Sequence, residues 1–188
     1  LYRRSEDWHS FGICPPIRLG AFILPQAEFL SLPEKHLIGV TQSYSCTLEQ
    51  ITTYRNEMRE HFWRQYIGED TTLPPLLYGL HHSRRSQEKD DEQEVMYTTA
   101  IEPSHLTDNI SEGQEIVLNE GEYALFRFKG SPENLQEFIL TLYGTCLPML
   151  KLIRRKGQDI ERFHTQRKVM GPTAPTELEC DYLIPIRR

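Results

Sequence analysis

The order of predicted elements repeats along this chain, and a duplication of this kind limits the fold more than any other feature of the sequence. In each half, a segment rich in β-branched and aromatic residues leads into a helix start. These starts are Thr47 in the first half and Ser131 in the second, 84 positions later. Strand-like segments follow each helix. We therefore predict two similar strand-helix-strand-strand units, over 36–103 and 121–188.

The first unit opens with a predicted strand over 37–44, where alternate residues are apolar. Thr47 and Gln50 have the spacing of a capping box, which predicts that a helix begins there. Apolar residues follow at helical spacing as far as Gly68, and Arg55 is the one interruption. Its methylene groups can still pack against the core.

Two strands, predicted over 76–81 and 94–102, complete the first unit as a hairpin. The segment between them is too charged to be buried. It fits either a loop kept in solvent by its charge or a contact surface for a partner protein.

The second unit repeats this order. Gly121 precedes a predicted strand over 122–130, and Ser131-Pro132 provides an N-cap and a proline at the first helical position. Further strands are predicted over 159–164 and 180–186. Before both units, the proline-rich residues 1–35 predict a linker with a short edge strand.

The predicted fold is α+β, with both helices on one side of a mostly antiparallel sheet and a pseudo-two-fold axis between the units. A seam of this kind is a common place for a ligand groove. The alternation of strand residues leaves open which face of the sheet would line it. We predict that the lining residues are Tyr44, Trp63, Tyr78, Tyr97, Phe126, Tyr143, Glu161, Phe163 and Asp181.

Each aromatic residue of that set also fits ordinary core packing. The two carboxylates, Glu161 and Asp181, interrupt strand-like segments, and an unpaired buried carboxylate is costly. They fit either ligand contacts or ion pairs and solvent-facing edge positions.

Charge and motifs exclude several classes of function. The 21 basic and 27 acidic residues give a formal net charge of -6, which opposes non-specific binding to nucleic acid. The four cysteines and seven histidines lack metal-site spacing, so we expect neither a metal nor a cofactor. No nucleophile elbow, metalloprotease motif or phosphate loop is present in the sequence. Without an apolar run long enough to span a bilayer, we expect no membrane partner and a cytoplasmic setting.

Five segments carry a family resemblance: LIGVTQSYSCTLEQI, KDDEQEVMYTTA, TLYGTCLPML, RRKGQDIERF and LIPIRR. Together they resemble the C-terminal effector domain of an AraC-family transcription activator, which is similar to the GyrI-like sensor domains attached to MerR-type multidrug regulators. The opening LYRRS resembles the last turn of an AraC-type DNA-binding domain. The resemblance implies that such a domain precedes this chain and that DNA is contacted only through it.

The resemblance also implies a ligand and a role. A groove between the units would receive amphipathic compounds such as bile salts, fatty acids or aromatic chelators, and binding would release or reorient the DNA-binding half. The full-length protein would then act with RNA polymerase on stress and multidrug-resistance genes. In GyrI-like sensors acidic groove residues contact cationic ligands, and these correspond to positions near Glu161 and at Asp181, where the family more often has the longer Glu.

Two alternatives remain. Some GyrI-like domains are hydrolases, and Glu161 with Asp181 would then be the acid-base pair. The chain could instead be an interaction module without a ligand, using the charged hairpin at 84–92. We favour a sensor that is not an enzyme.

Overall fold

The computed structural model describes residues 18–19, 22–67, 74–85, 93–105, 113–164 and 177–187. The strands are β1 (Arg18–Leu19), β2 (Phe22–Ile23), β3 (Ala27–Leu32), β4 (Lys35–Cys46), β5 (Leu76–Arg85), β6 (Gln93–Ile101), β7 (Gln114–Leu118), β8 (Gly121–Gly130), β9 (Ile153–Arg154), β10 (Asp159–His164) and β11 (Leu178–Arg187). The helices are α1 (Ile51–Phe62), α2 (Asn134–Thr141) and α3 (Leu147–Met149). Turns of 3-10 helix (Leu48–Gln50 and Pro103–His105) precede α1 and follow β6, and π-helical turns (Trp63–Ile67 and Leu142–Cys146) follow α1 and α2.

One large sheet carries the fold, with the strand order β3-β8-β11-β10-β5-β6-β4-β7. Every pairing in it is antiparallel, and β9 adds a short pairing with β11. The order β8-β11-β10 on one side of the centre mirrors β5-β6-β4 on the other. The predicted α+β duplication is therefore confirmed, and the seam between the units is the pairing of β5 with β10.

The outer strands are exchanged between the units. β3 precedes the first unit in the chain but pairs with β8 of the second. β7 precedes the second unit but pairs with β4 of the first. β3 is the short edge strand predicted within 1–35, whereas β7 was not predicted. This exchange ties the two units together through both edges of the sheet.

Both predicted helix starts are close to the observed ones. The Thr47 backbone N–H donates to Gln50 Oε1 at 3.2 Å, as one half of a capping box, and the helical segment then continues to Ile67. In the second unit, the Asn134 N–H donates to the Ser131 carbonyl at 3.0 Å, so a turn leads directly into α2. Each helix thus follows the first strand of its unit closely.

The sheet has a core on each face. Alternation along each strand sends neighbouring residues to opposite faces, which fixes the two sets. The helix-side core includes Trp63, Phe126, Leu142, Phe163 and Tyr182. The core on the opposite face includes Leu37, Tyr78, Leu125, Ile160 and Leu183.

The predicted hairpin of β5 and β6 is confirmed by their antiparallel pairing. The charged segment at its tip lies outside the described residues, as does Cys14. Cys46, Cys146 and Cys180 are free and buried. None of the described helices has the length and apolar composition needed to cross a membrane.

Candidate functional site

The seam places a buried carboxylate at the middle of the sheet. Glu161 of β10 lies directly opposite Gly79 of β5, and its side chain is completely buried. The Tyr97 hydroxyl, from β6, donates to Glu161 Oε2 at 2.6 Å. A Cβ at position 79 would overlap both the Tyr97 hydroxyl and the Glu161 carboxylate. The absence of a side chain at Gly79 therefore makes room for this contact.

Two arginines of α1 cover the carboxylate. Arg55 Nη1 donates to Glu161 Oε1 at 3.3 Å. Arg59 Nη1 donates to the Tyr97 hydroxyl at 2.9 Å and lies 3.5 Å from Glu161 Oε2. The Arg59 guanidinium also lies over the Phe163 ring, 4.6 Å from its centroid. Two buried guanidinium groups facing one carboxylate give this cluster a net positive charge.

The protonation states of the cluster follow from burial and contacts. Burial is the main reason that the pKa of Tyr97 is raised well above its usual value, so the hydroxyl stays protonated and donates a hydrogen bond to Glu161. Burial alone would lower the pKa of Arg59, but the Tyr97 and Glu161 contacts outweigh it and the pKa is raised. Arg59 therefore stays charged.

A second polar cluster lies on the same face and consists of side chains from the second unit alone. Asp159, almost fully buried, accepts from the Tyr143 hydroxyl at 2.5 Å and from the Tyr182 hydroxyl at 2.7 Å. Arg154 Nη2 donates to the same carboxylate at 2.9 Å. Burial raises the pKa of both tyrosines, so both remain donors. The hydrogen bonds of Asp159 are thus supplied by the protein itself.

A cavity of about 350 Å³ lies between α1 and α2, above these clusters. Arg55 forms part of one wall, Ile139 and Leu140 of α2 form another, and Tyr182 belongs to the sheet beneath. The volume is near the lower end of the range for small-molecule sites, roughly 300–1,000 Å³. A cavity of about 230 Å³ lies between α1 and the sheet next to Tyr97.

Seven of the nine predicted lining residues lie on the helix side of the sheet. Glu161 and Tyr97 meet at the seam, and Tyr143 borders the larger cavity. Trp63, Phe126 and Phe163 are buried in the helix-side core. Tyr44 stacks on Tyr54 of α1 with ring centroids 4.7 Å apart.

The other two residues, Tyr78 and Asp181, lie on the opposite face. Tyr78 accepts from Lys35 Nζ at 3.3 Å and borders a cavity of about 160 Å³ on that face. Asp181 Oδ2 lies 2.7 Å from His164 Nε2 and 3.4 Å from Arg162 Nη2. The structure therefore divides the predicted set between two faces.

This division bears on the catalytic alternative. Glu161 pairs across the sheet with Tyr182, and Asp181 is the neighbour of Tyr182 in the chain, so the two carboxylates point to opposite faces. They cannot act together on one substrate. In the part of the chain that the structure describes, no group of three or more His, Cys, Asp or Glu side chains is arranged to hold a metal ion.

Three charged residues of the helix side were missed or misread in the sequence. Arg55 was interpreted through its methylene groups, yet its guanidinium is buried beside Glu161. Arg59 and Asp159 were not singled out. Arg55 and Arg59 are four positions apart on α1, and this spacing places both on one helix face. That spacing was the available signal.

Comparison with known proteins identifies the family. The sequence profile of the GyrI-like small molecule binding domain matches residues 25–187. The chain belongs to this GyrI-like family. The predicted fold class and the family resemblance are thereby confirmed.

Curated relatives match the whole chain. It is 53% identical over 188 residues to the right origin-binding protein of Escherichia coli K12. It is 51% identical over 188 residues to the transcriptional regulator Rob of Salmonella typhimurium LT2. The chain spans 65% of the length of each of these relatives.

Solved structures with low sequence identity share the fold. One is a complex of EcmrR with DNA, at 14% identity and a TM-score of 0.56, covering 88% of this chain and 58% of that one. Another is a protein bound to tetraphenylphosphonium, at 14% identity and a TM-score of 0.54, covering 86% of this chain and 93% of that one. These similarities concern the architecture.

Proposed function

We propose that this chain is the effector-binding part of a transcription regulator and that it holds an amphipathic small molecule between its two helices and the sheet. The observation that carries the proposal is the cavity of about 350 Å³ between α1 and α2, where the apolar side chains of Ile51, Ile139 and Leu140 face polar ones that include Arg55 and Asp159. Such a combination suits a ligand with an apolar body and a polar end.

The relatives support the regulatory part of the proposal. Both are at least 51% identical to this chain over its whole length, and one is named as a transcriptional regulator. Since the chain spans 65% of their length, contacts with DNA and RNA polymerase are assigned to the full-length protein. Residues 1–35 would connect to a DNA-binding domain, and the setting would be the cytoplasm.

The proposed ligands are bile salts, fatty acids and aromatic chelators, and the proposed output is control of stress and multidrug-resistance genes. Ligand binding would release or reorient the DNA-binding part. The nine residues predicted to line the groove remain a prediction, and Tyr143 is the one among them that borders this cavity.

A thermal titration tests the proposal. Sodium cholate and sodium decanoate, each below its micelle concentration, are expected to raise the melting temperature of this chain in a saturable way. A ligand at 100 times its dissociation constant stabilises the folded state by roughly 2.7 kcal/mol. Absence of a shift with any bile salt, fatty acid or aromatic chelator would contradict the proposal.

A pair of matched variants locates the site. Leu140 borders the cavity and is 53% exposed, whereas Met149 is 45% exposed and is not among the cavity-lining residues. Leu140→Trp is expected to block the cavity and weaken binding, and Met149→Trp is expected to leave binding unchanged. Equal binding by the two variants would place the ligand elsewhere.

A further inference from the structure

Arg55 has an unused edge on its guanidinium group. Its side chain is 1% exposed, and Nη1 donates a hydrogen bond to Glu161 Oε1 at 3.3 Å. Nε and Nη2 are buried and have no hydrogen-bond partner among the described residues. Buried donors are normally paired, so this edge is an exception that calls for an explanation.

The chemistry of that edge is specific. Nε carries one N–H and Nη2 carries two, and one N–H of each points in the same direction. Two parallel donors of this kind match the two oxygens of a carboxylate, or two oxygens of a sulfonate. A single negative group placed there would satisfy donors that are otherwise buried and unpaired.

The surroundings of Arg55 favour an anion with an apolar body. Arg55 lines the cavity of about 350 Å³, where Ile51, Ile139 and Leu140 are apolar and Arg154 adds a second cation. Gln136 Oε1, in the same lining, is a buried neutral acceptor without a partner among the described residues. Asp159, the acidic residue in the same lining, already accepts from two tyrosines and one arginine. No carboxylate of the described lining is left to pair with the free edge of Arg55.

The positive charge at the seam also favours an anionic ligand. Glu161 is shared by Arg55 and Arg59, and its Oε2 also accepts the Tyr97 hydroxyl. A cationic ligand approaching Glu161 would meet two guanidinium groups first. The buried carboxylate is thus committed to holding the arginines in place.

We propose that Arg55 is the anion receptor of this cavity and makes it selective for amphipathic monoanions over neutral or cationic ligands of the same size. The proposal rests on the proposed function, because it defines which ligands that site accepts. The anionic group lies against Nε and Nη2 of Arg55, and the apolar part of the ligand lies along α2. Glu161 acts as the positioning residue for Arg55.

Three probes with the same ten-carbon chain test the selectivity: decanoate, 1-decanol and decyltrimethylammonium. Isothermal titration of the whole chain below micelle concentrations gives each dissociation constant. Decanoate is expected to bind about tenfold or more tightly than decanol, as a charge-assisted bidentate contact implies. The cationic probe is expected to bind more weakly than decanol.

Variants assign the selectivity to one residue. Arg55→Gln is expected to make decanoate and decanol bind equally well. Arg55→Lys retains the charge beside Glu161 but lacks the two-donor edge, so an intermediate preference is expected. Arg127→Gln is the charge-matched control, since Arg127 is 60% exposed and pairs with Glu28 and Asp181 outside the cavity. It is expected to bind all three probes as the unaltered chain does.

The outcomes separate this inference from the proposed function. Equal binding of all three probes to the unaltered chain would overturn the anion receptor while supporting an effector site. Retention of the decanoate preference in folded Arg55→Gln would overturn it as well. If Arg55→Gln does not fold, the same preference in Arg55→Lys as in the unaltered chain overturns the two-donor contact. If none of the three probes binds to the chain, the result would count against the proposed function itself.

Discussion

Gly79 lies directly opposite Glu161 where β5 pairs with β10, and the missing side chain of the glycine provides the space for the buried carboxylate of its partner. The Tyr97 hydroxyl enters the same space and donates to Glu161. The two units of the duplication therefore meet around an asymmetric polar contact, with a carboxylate from one unit and a hydroxyl from the other.

Gly79→Ala should destabilise the fold, because its Cβ would overlap the Tyr97 hydroxyl and the Glu161 carboxylate. Overpacking of this kind typically costs about 1–3 kcal/mol. Urea unfolding measures the loss. Gly144→Ala is the control, since a Cβ there meets nothing within 4 Å and alanine is the better residue in a helix. Equal stability of the two variants would contradict the steric role of Gly79.

Arg59→Met should cost more stability than Arg55→Met. Arg59 contacts Tyr97, Glu161 and the ring of Phe163, whereas Arg55 donates to Glu161 alone among the described residues. Removing one partner of a buried ion pair costs about 3–5 kcal/mol when the other charge is left alone. Each variant leaves Glu161 with one arginine, so both losses should be smaller than this. The loss should be larger for Arg59→Met because it also removes the contacts with Tyr97 and Phe163.

The two arginine variants are compared by urea unfolding at neutral pH with the same baseline model. A larger loss for Arg55→Met than for Arg59→Met would contradict this ranking and show that Arg55 is the main partner of Glu161.

Much of the fold could be predicted because the signals are local. The alternation over 37–44 and the caps at Thr47 and Ser131 specify strands and helix starts through neighbouring residues alone. β7 was not predicted because it is only five residues long. It is held in place by pairing with β4, which is distant in the sequence. The exchange of edge strands is a tertiary arrangement that local periodicity does not encode.

The site was harder to predict, for a physical reason. The faces of the sheet depend on which set of alternating residues meets the helices, so Tyr78 and Asp181 could not be separated from Tyr97 and Glu161 by sequence alone. Arg55 was interpreted through its methylene groups, and burial of its guanidinium group was not predicted because burying a charge is normally unfavourable. Its burial depends on Glu161, 106 positions away in the chain.

The free energy of unfolding should fall at alkaline pH because the pKa of Tyr97 is higher in the folded chain than in the unfolded chain. Its pKa is raised in the folded chain, while in the unfolded chain it ionises near pH 10. Above about pH 10 the unfolded state therefore releases a proton that the folded state retains, and unfolding is favoured by about 1.4 kcal/mol per pH unit.

Tyr97→Phe isolates this contribution from those of other groups. The free energy of unfolding, measured in urea between about pH 9 and 11.5, should fall less steeply with pH in Tyr97→Phe than in the unaltered chain. The variant also loses two hydrogen bonds, which lowers its stability at every pH without changing the slope. Identical slopes would mean that Tyr97 ionises normally in the folded state.

Asp159→Asn should destabilise the second unit more than Glu28→Gln does. Asp159 is 5% exposed and accepts from Tyr143, Tyr182 and Arg154, and hydrogen bonds to charged groups contribute roughly 1.5–3 kcal/mol each. Glu28 pairs with an arginine whose side chain is 60% exposed, and such pairs contribute about 0–1 kcal/mol. Urea midpoints at neutral pH compare the two variants. A loss for Asp159→Asn no larger than that for Glu28→Gln would show that the Asp159 cluster is solvated rather than buried in solution.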